Sequence, residues 1–291
     1  MTPLDALCAT ALHHAGEAWS PLPGLKISSL DAPTEMIPLV YKPVACLVLQ
    51  GKKRTLIGNE VLEYGPGDCL IVAAELAAMG QITEASPDKP FLVANLSLSP
   101  SLISSLMVDV AAVPEPSMPS GFNLAMASPL LLEAWRRLVE LLDRPHEIPI
   151  LASHIEYELL YRLLTGTQGG LLRQMAAVDS SLTQIRRAME WIRKRYAVHL
   201  SIEEMAEVAG MSVSAFHRRF KAVTGMTPLL YQKHARLHEA RRRIVAENAK
   251  AATVAFEVGY ESVSQFSREY KRMFGDPPRR DAAKIQSVGA R

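Results

Sequence analysis

Two hydrophobic patterns share this chain. Between about Lys26 and Leu98 the apolar residues fall in short runs, Ala45–Gln50, Thr55–Ile57, Val61–Tyr64, Cys69–Val72 and Phe91–Leu98, parted by turns such as Gly-Lys-Lys, Gly-Asn-Glu and Tyr-Gly-Pro-Gly-Asp. Such runs bounded by Gly, Pro and Asn predict strands, and many short strands at close spacing predict a sandwich or small barrel. From Ser128 the period becomes helical. Leu131, Trp135, Leu138 and Leu142 lie at i, i+4, i+7 and i+11 behind that capping serine, and Leu151, Ile155, Leu159 and Leu163 repeat the pattern over Ile150–Leu164, with Pro145 and Pro149 between the two. An apolar face this wide suits packing on the strands, or a second subunit. Gly166-Thr-Gln-Gly-Gly170 and Val178-Asp-Ser-Ser181 then read as hinge and linker, and Pro114, Pro116 and Pro119 as a surface loop.

The remainder is helical throughout. Gln184–Tyr196 carries Ile185, Met189 and Ile192 on one face and basic residues on the others. Ser201 with Glu204 three residues on forms a capping box that opens Ile202–Ala209. Gly210 ends that helix, and Ser212 or Ser214 caps the next, which runs through Phe220 to about Val223. Two short helices joined by a tight Gly-containing turn make a helix-turn-helix. The arrangement recurs: SVSAFHRRFKAVTGMTP (212–228) and SVSQFSREYKRMFGDPP (262–278) agree without a gap at eight of seventeen positions. The second copy predicts a helix Ala252–Val258, a turn Gly259-Tyr260-Glu261 one residue longer than its counterpart, and a helix Ser262–Phe274. Val213/Val263, Phe216/Phe266 and Phe220/Tyr270 fall at i, i+3 and i+7 and form the expected buried face. That leaves Ser214, His217, Arg218 and Lys221 outward in the first copy, and Ser264, Gln265, Ser267, Arg268 and Lys271 in the second. Between the copies, Leu229–Glu247 lacks Gly and Pro and spaces Leu230, Leu237 and Ile244 seven apart. It predicts one helix of about 28 Å at ~1.5 Å per residue, a rod able to hold two groove-reading helices about one DNA turn, ~34 Å, apart.

Charge supports a polyanion partner for this half. Residues 1–179 hold 11 Lys/Arg and 19 Asp/Glu, a balance of −8, whereas 180–291 hold 21 and 11, a balance of +10. Arginine can engage guanine edges bidentately and lysine can neutralise phosphates. The three cysteines, Cys8, Cys46 and Cys69, are odd in number and widely spaced, which fits reduced thiols better than a disulfide framework or a zinc site. No apolar run is long enough for a bilayer and no signal segment opens the chain, so a cytoplasmic protein with no membrane partner is expected.

VAFEVGYESVSQFSREYKRMFGDPPRRD, around the second helix-turn-helix, resembles the signature of the AraC/XylS family of bacterial transcription regulators, and the resemblance extends from about Thr183 to Asp281. It implies that Ser214, His217 and Arg218, with Ser264, Ser267 and Arg268, reach base edges, while Lys221, Lys271 and the helix N-termini hold phosphates. Ser214 is small where the family often has a larger side chain, so the base preference of the first copy does not carry over. LVLQGKKRTLIGNEVLEYGPGDCLIV, within residues 25–100, resembles the cupin-like effector domain of one branch of the same family.

Enzymatic cupins place a His-x-His pair and further ligands inside the barrel. Here all eight histidines, at 13, 14, 146, 154, 199, 217, 234 and 238, lie outside the predicted strands, so neither a metal, a cofactor nor catalytic residues are expected. The interior then reads as an apolar pocket for a small organic effector, with Cys46, Val48, Tyr64, Cys69, Ile71 and Met79 as candidate lining residues and the two cysteines as candidate sensors of an electrophile or oxidant. The expected fold is α+β: a cupin-like effector domain over 1–127, a helical dimerisation pair over 128–176, a linker over 177–182 and a DNA-binding domain over 183–291. The expected function is an effector-controlled regulator of promoter DNA, without enzymatic activity, acting as a homodimer and, as the resemblance implies, as an activator near RNA polymerase. The alternatives are a constitutive DNA-binding protein and a cupin-class enzyme.

Overall fold

A computed structural model describes residues 2–16, 20–110, 121–177, 180–247 and 249–289. The loop expected around Pro114, Pro116 and Pro119, and Val178 and Asp179 of the expected linker, lie outside the described residues. The chain separates into two compact units, the first formed by residues up to Thr183 and the second by most of those from Gln184 onward.

The first unit begins with α1 (Pro3–His13), entered through a Thr2/Asp5 capping box. Eight strands follow: β1 (Leu25–Leu30), β2 (Ile37–Tyr41), β3 (Val44–Gln50), β4 (Lys52–Ile57), β5 (Glu60–Tyr64), β6 (Asp68–Val72), β7 (Leu76–Glu84) and β8 (Phe91–Ser97). Then come α2 (Pro100–Asp109), β9 (Phe122–Met126), α3 (Pro129–Glu140), α4 (Ile148–Thr165) and α5 (Gly169–Ala176). The strands make two antiparallel sheets, ordered β1-β8-β3-β6-β9 and β2-β7-β4-β5. β3 is buried on both faces, because one faces the second sheet and α1 packs on the other. Gln168 Nε2 donates to the carbonyls of Cys69 and Asn123, at 2.9 and 3.0 Å, and so ties the start of α5 to β6 and β9. The expected hinge at Gly166–Gly170 is shorter than its composition suggests, since Gly169 and Gly170 already belong to α5. A side chain at Gly169 would lie 1.9 Å from the Leu164 carbonyl oxygen, so the residue is glycine for close packing rather than for flexibility. The helical pair is present, with Ser128 capping α3 and Leu131, Trp135, Leu138, Leu159 and Leu163 buried.

The second unit is all helix: α6 (Ser181–Lys194, whose first turn precedes the boundary), α7 (Ile202–Ala209), α8 (Val213–Thr224), α9 (Pro228–Ala246), α10 (Ala251–Glu257), α11 (Val263–Phe274) and α12 (Pro278–Gly289). The Ser201/Glu204 capping box opens α7, and Gly210 closes it with φ 65°. In the second copy Val258 caps α10 at φ −88° and Gly259 takes the left-handed position one residue later, at φ +91°, which accounts for the longer turn. A Cβ at Gly259 would fall 2.1 Å from the Ala197 carbonyl oxygen. Phe216, Phe220, Phe266 and Tyr270 are fully buried, but Val213 is not: it is 40% exposed, whereas its counterpart Val263 packs partly buried against the core. The second Pro of the Pro-Pro pair does more than stop α11. Pro278 is the first residue of α12, where a missing N–H costs nothing.

Candidate nucleic-acid interface and small-molecule cleft

α8 and α11 are both held from behind by aromatic rings. Phe216 meets Phe220 at 5.3 Å and Phe220 meets Tyr231 of α9 at 5.5 Å; in the second copy Tyr260, Phe266, Tyr270 and Phe274 form a continuous series at 5.3, 5.5 and 4.6 Å. With these rings inward, Ser214, His217, Arg218 and Lys221 are exposed on α8, and Ser264, Gln265, Arg268 and Lys271 are exposed on α11, where Ser267 is half-buried. Ser-Arg-Lys therefore recurs at i, i+4 and i+7 on the open face of each helix, and Arg272 adds an exposed cation that the sequence reading passed over.

The pairing of the basic residues separates structural from available charge. On α9, Lys233 pairs with Glu269, Arg241 with Asp281, Arg242 with Glu239 and Arg243 with Glu257. Among the described residues, Arg218, Lys221, Arg268 and Lys271 pair with no carboxylate, so their charge is open to a polyanion.

Side chains that sequence reasoning missed hold α11 in place. Arg236 of α9 donates to the carbonyls of Tyr196, Gly259 and Val198 at 2.7, 2.8 and 3.0 Å, and Gln232 donates to Tyr196 and Val198. Glu269 accepts from Lys233 at 3.0 Å and from the Tyr260 hydroxyl at 2.8 Å. Burial alone would raise its carboxyl; the hydrogen bonds from Lys233, Tyr260 and Gln265 outweigh it and hold the group below the usual glutamate range. These residues read as ordinary polar positions of an amphipathic helix, and only their partners reveal the role.

In the first unit a cleft of about 220 Å³ opens between the two sheets. Leu39, Ile82, Phe91 and Val93 supply apolar wall, and Tyr41, Lys53 and Tyr64 supply polar groups. Of the six residues expected to line it, the structure places two there, Cys46 and Tyr64. Val48 is fully buried beyond the cleft. Cys69 and Ile71 stand opposite Leu47 and Ala45, one residue out of step with Cys46, and so project from the other face of the sheet. Met79 alternates with Gly80 and Ile82 and is turned outward for the same reason. Cys46 and Cys69 thus cannot act as a thiol pair. Burial, opposed by the pull of Lys53, pushes the Cys46 thiol up to about 12, and burial raises Cys69 as well. At pH 8 such a Cys46 is thiolate in about one molecule in ten thousand, against roughly one in four for a free thiol of pKa ~8.5. Iodoacetamide at pH 8 is therefore expected to leave Cys46 and Cys69 unmodified in the folded protein while modifying all three cysteines in urea, as peptide mass mapping would show.

Among the described residues no group of three or more His, Cys, Asp and Glu is placed to hold a metal ion, and no helix is long and apolar enough to cross a membrane.

The profile described as "AraC-type transcriptional regulator N-terminus" matches residues 21–171, and a helix-turn-helix domain profile matches 205–283. The HTH-type transcriptional regulator ExsA of Pseudomonas aeruginosa is 28% identical over 176 residues, 60% of this chain and 62% of that protein. The HTH-type transcriptional activator RhaS of Escherichia coli is 25% identical over 150 residues, 51% of this chain and 53% of the relative. The alignments thus span between about half and 62% of these relatives' lengths. Among solved structures, ToxT from Vibrio cholerae O395 bound to (E)-4-(8-methylnaphthalen-1-yl)but-3-enoic acid superposes with a TM-score of 0.55 at 11% identity, over 87% of this chain and 96% of that one, a likeness of fold.

Proposed function

The chain belongs to the AraC family of transcription regulators, and from that premise we propose that it reads promoter DNA with α8 and α11 under the control of a small organic effector bound in the first unit. The observation that carries the DNA reading is the repeated, uncompensated Ser-Arg-Lys face. Arg218 and Arg268, with Ser214, His217, Ser264, Gln265 and Ser267, are assigned to base edges, and Lys221 and Lys271 to phosphates. Effector control is supported by the cleft with its mixed lining. Occupancy would shift the balance between states that differ in operator affinity. The ligand named with ToxT shows that a protein of this fold can accept a small organic acid. Activation, as in the relative RhaS, and contact with RNA polymerase complete the reading.

We assign homodimerisation to α4. Leu159 and Leu163 face inward, while Ile150, Leu151, Tyr157 and Tyr161 leave an exposed apolar and aromatic strip along the helix.

The test is fluorescence anisotropy of the protein on DNA upstream of its own gene against a shuffled duplex of equal length and salt. A preference of about a thousandfold or more is expected, and equal affinities would reduce the reading to a basic surface. Within that assay, Arg268→Ala is expected to weaken the specific site by ~1–3 kcal/mol and relax the base preference at one position, whereas Lys271→Ala weakens all sequences alike and lowers the salt slope by about one. Equal losses on specific and random DNA for Arg268→Ala would reassign that residue to the phosphates.

A further inference from the structure

β4 opens with three consecutive basic residues, Lys52-Lys53-Arg54, and the two-residue period of a strand sends the middle one to the opposite face from its neighbours. The outer two are neutralised on the outer surface, Lys52 by Glu84 at 2.8 Å and Arg54 by Glu63 at 2.6 Å. Lys53 instead enters the cleft between the sheets, where no Asp or Glu is among the lining residues. Its ammonium donates to the Tyr41 hydroxyl at 3.1 Å and lies 5.4 Å from the centre of that ring. The Tyr41 hydroxyl continues to Tyr64 at 3.3 Å, and Tyr64 to Thr55 at 2.8 Å. Burial, reinforced by Tyr41, raises the Tyr64 phenol and keeps it protonated.

This end of the cleft therefore concentrates positive charge and O–H groups. Leu30, Phe91 and Val93 of the opposite sheet, with Ile37, Leu39 and Ile82 of Lys53's own sheet, supply apolar lining beside it. A half-buried ammonium that meets a hydroxyl and a ring face but no carboxylate is placed to receive an anion. A charge-assisted hydrogen bond to a carboxylate is about twice as strong as a neutral one. Size narrows the choice further. A cavity of ~150 Å³ accepts benzene, so about 220 Å³ suits one ring, or a short chain, with a small head group.

We infer that the effector received by this cleft is a small organic monoanion, a carboxylate on a single ring or short apolar chain, with its charge on Lys53 and its apolar body between Leu39 of one sheet and Phe91 of the other. The inference rests on the effector reading above and adds the ligand class. Two of the three ammonium protons remain for the carboxylate after the bond to Tyr41, so binding requires no rearrangement of the Tyr41, Tyr64 and Thr55 chain.

Three acid and amide pairs test it on the full chain by calorimetry and thermal shift: benzoate and benzamide, cinnamate and cinnamamide, hexanoate and hexanamide. At least one acid is expected to bind ten times or more tighter than its amide. Lys53→Met should remove that preference, and Lys53→Arg should retain most of it. Leu39→Trp, which fills the apolar wall and leaves Lys53 in place, should abolish binding of acid and amide alike. Amides that bind as well as their acids would overturn the anion assignment while leaving the cleft as an effector site. Acid binding unchanged in Leu39→Trp would place the ligand elsewhere and overturn both readings, as would no binding by any member of the three pairs.

Discussion

Replacing Phe266 with alanine is expected to cost about 3–5 kcal/mol and to release α11. The ring is fully buried and meets Tyr260 at 5.3 Å and Tyr270 at 5.5 Å, edge to face in both cases. It shares its core with Leu237, Ala240, Ile244, Val254, Ala255 and Val258, so one side chain joins α9, α10 and α11. Truncation loses the transfer free energy of the ring and leaves a cavity that the rigid turn at Gly259 cannot close. Edge-to-face contacts add ~0.5–1.5 kcal/mol per pair to the loss. Urea titration followed by circular dichroism should show the transition of the second unit at lower denaturant. Anisotropy on the operator should show weaker binding, since α11 carries Arg268 and Lys271. A midpoint unchanged from wild type would remove Phe266 from the core and undo the inside/outside assignment of the whole helix.

That assignment was legible from sequence because the helices are amphipathic. On α11 a buried Phe266 and Tyr270 alternate with exposed Arg268 and Lys271, so the period itself fixes the orientation. Val213 departs from it, being 40% exposed where its counterpart Val263 packs against the core. The cleft was legible only in part for the opposite reason. β3 and β6 are apolar on both faces, so nothing in their composition distinguishes Cys46, which lines the cleft, from Cys69 and Ile71, which do not. Lys53 was hidden by its neighbours: Gly51 makes Gly-Lys-Lys read as a turn, whereas β4 begins at Lys52 and its alternation turns Lys53 inward. β2 and β7 escaped notice because IPLVY contains a proline and LAAMGQITE is rich in Ala and Gly, both poor strand signals.

The second large effect is expected at Asp281, a position with no apolar signal at all. Its carboxylate is only 5% exposed and takes both forks of Arg241 at 2.8 Å, with the Tyr270 hydroxyl donating at 2.7 Å. Three helices meet there: α9 through Arg241, α11 through Tyr270 and α12 through Asp281 itself. The Arg241 guanidinium also lies 4.6 Å from the ring of Phe274, so it is held on a second side. Removing one member of such a pair costs more than the pair contributes, because the remaining charge is left desolvated. Asp281→Ala is therefore expected to lose about 3–5 kcal/mol, close to the loss for Phe266→Ala although far less apolar surface is removed. Asp281→Asn keeps one acceptor for Arg241 or Tyr270 and should fall between alanine and wild type. The double variant Asp281→Ala, Arg241→Met removes both charges together. If the loss in the single variant comes from an orphaned guanidinium, this double variant should recover part of it in the same urea titration. If the double variant is instead less stable than Asp281→Ala by the full cost of Arg241→Met alone, the two residues act independently. The clamp would then have no part in holding α11 in place.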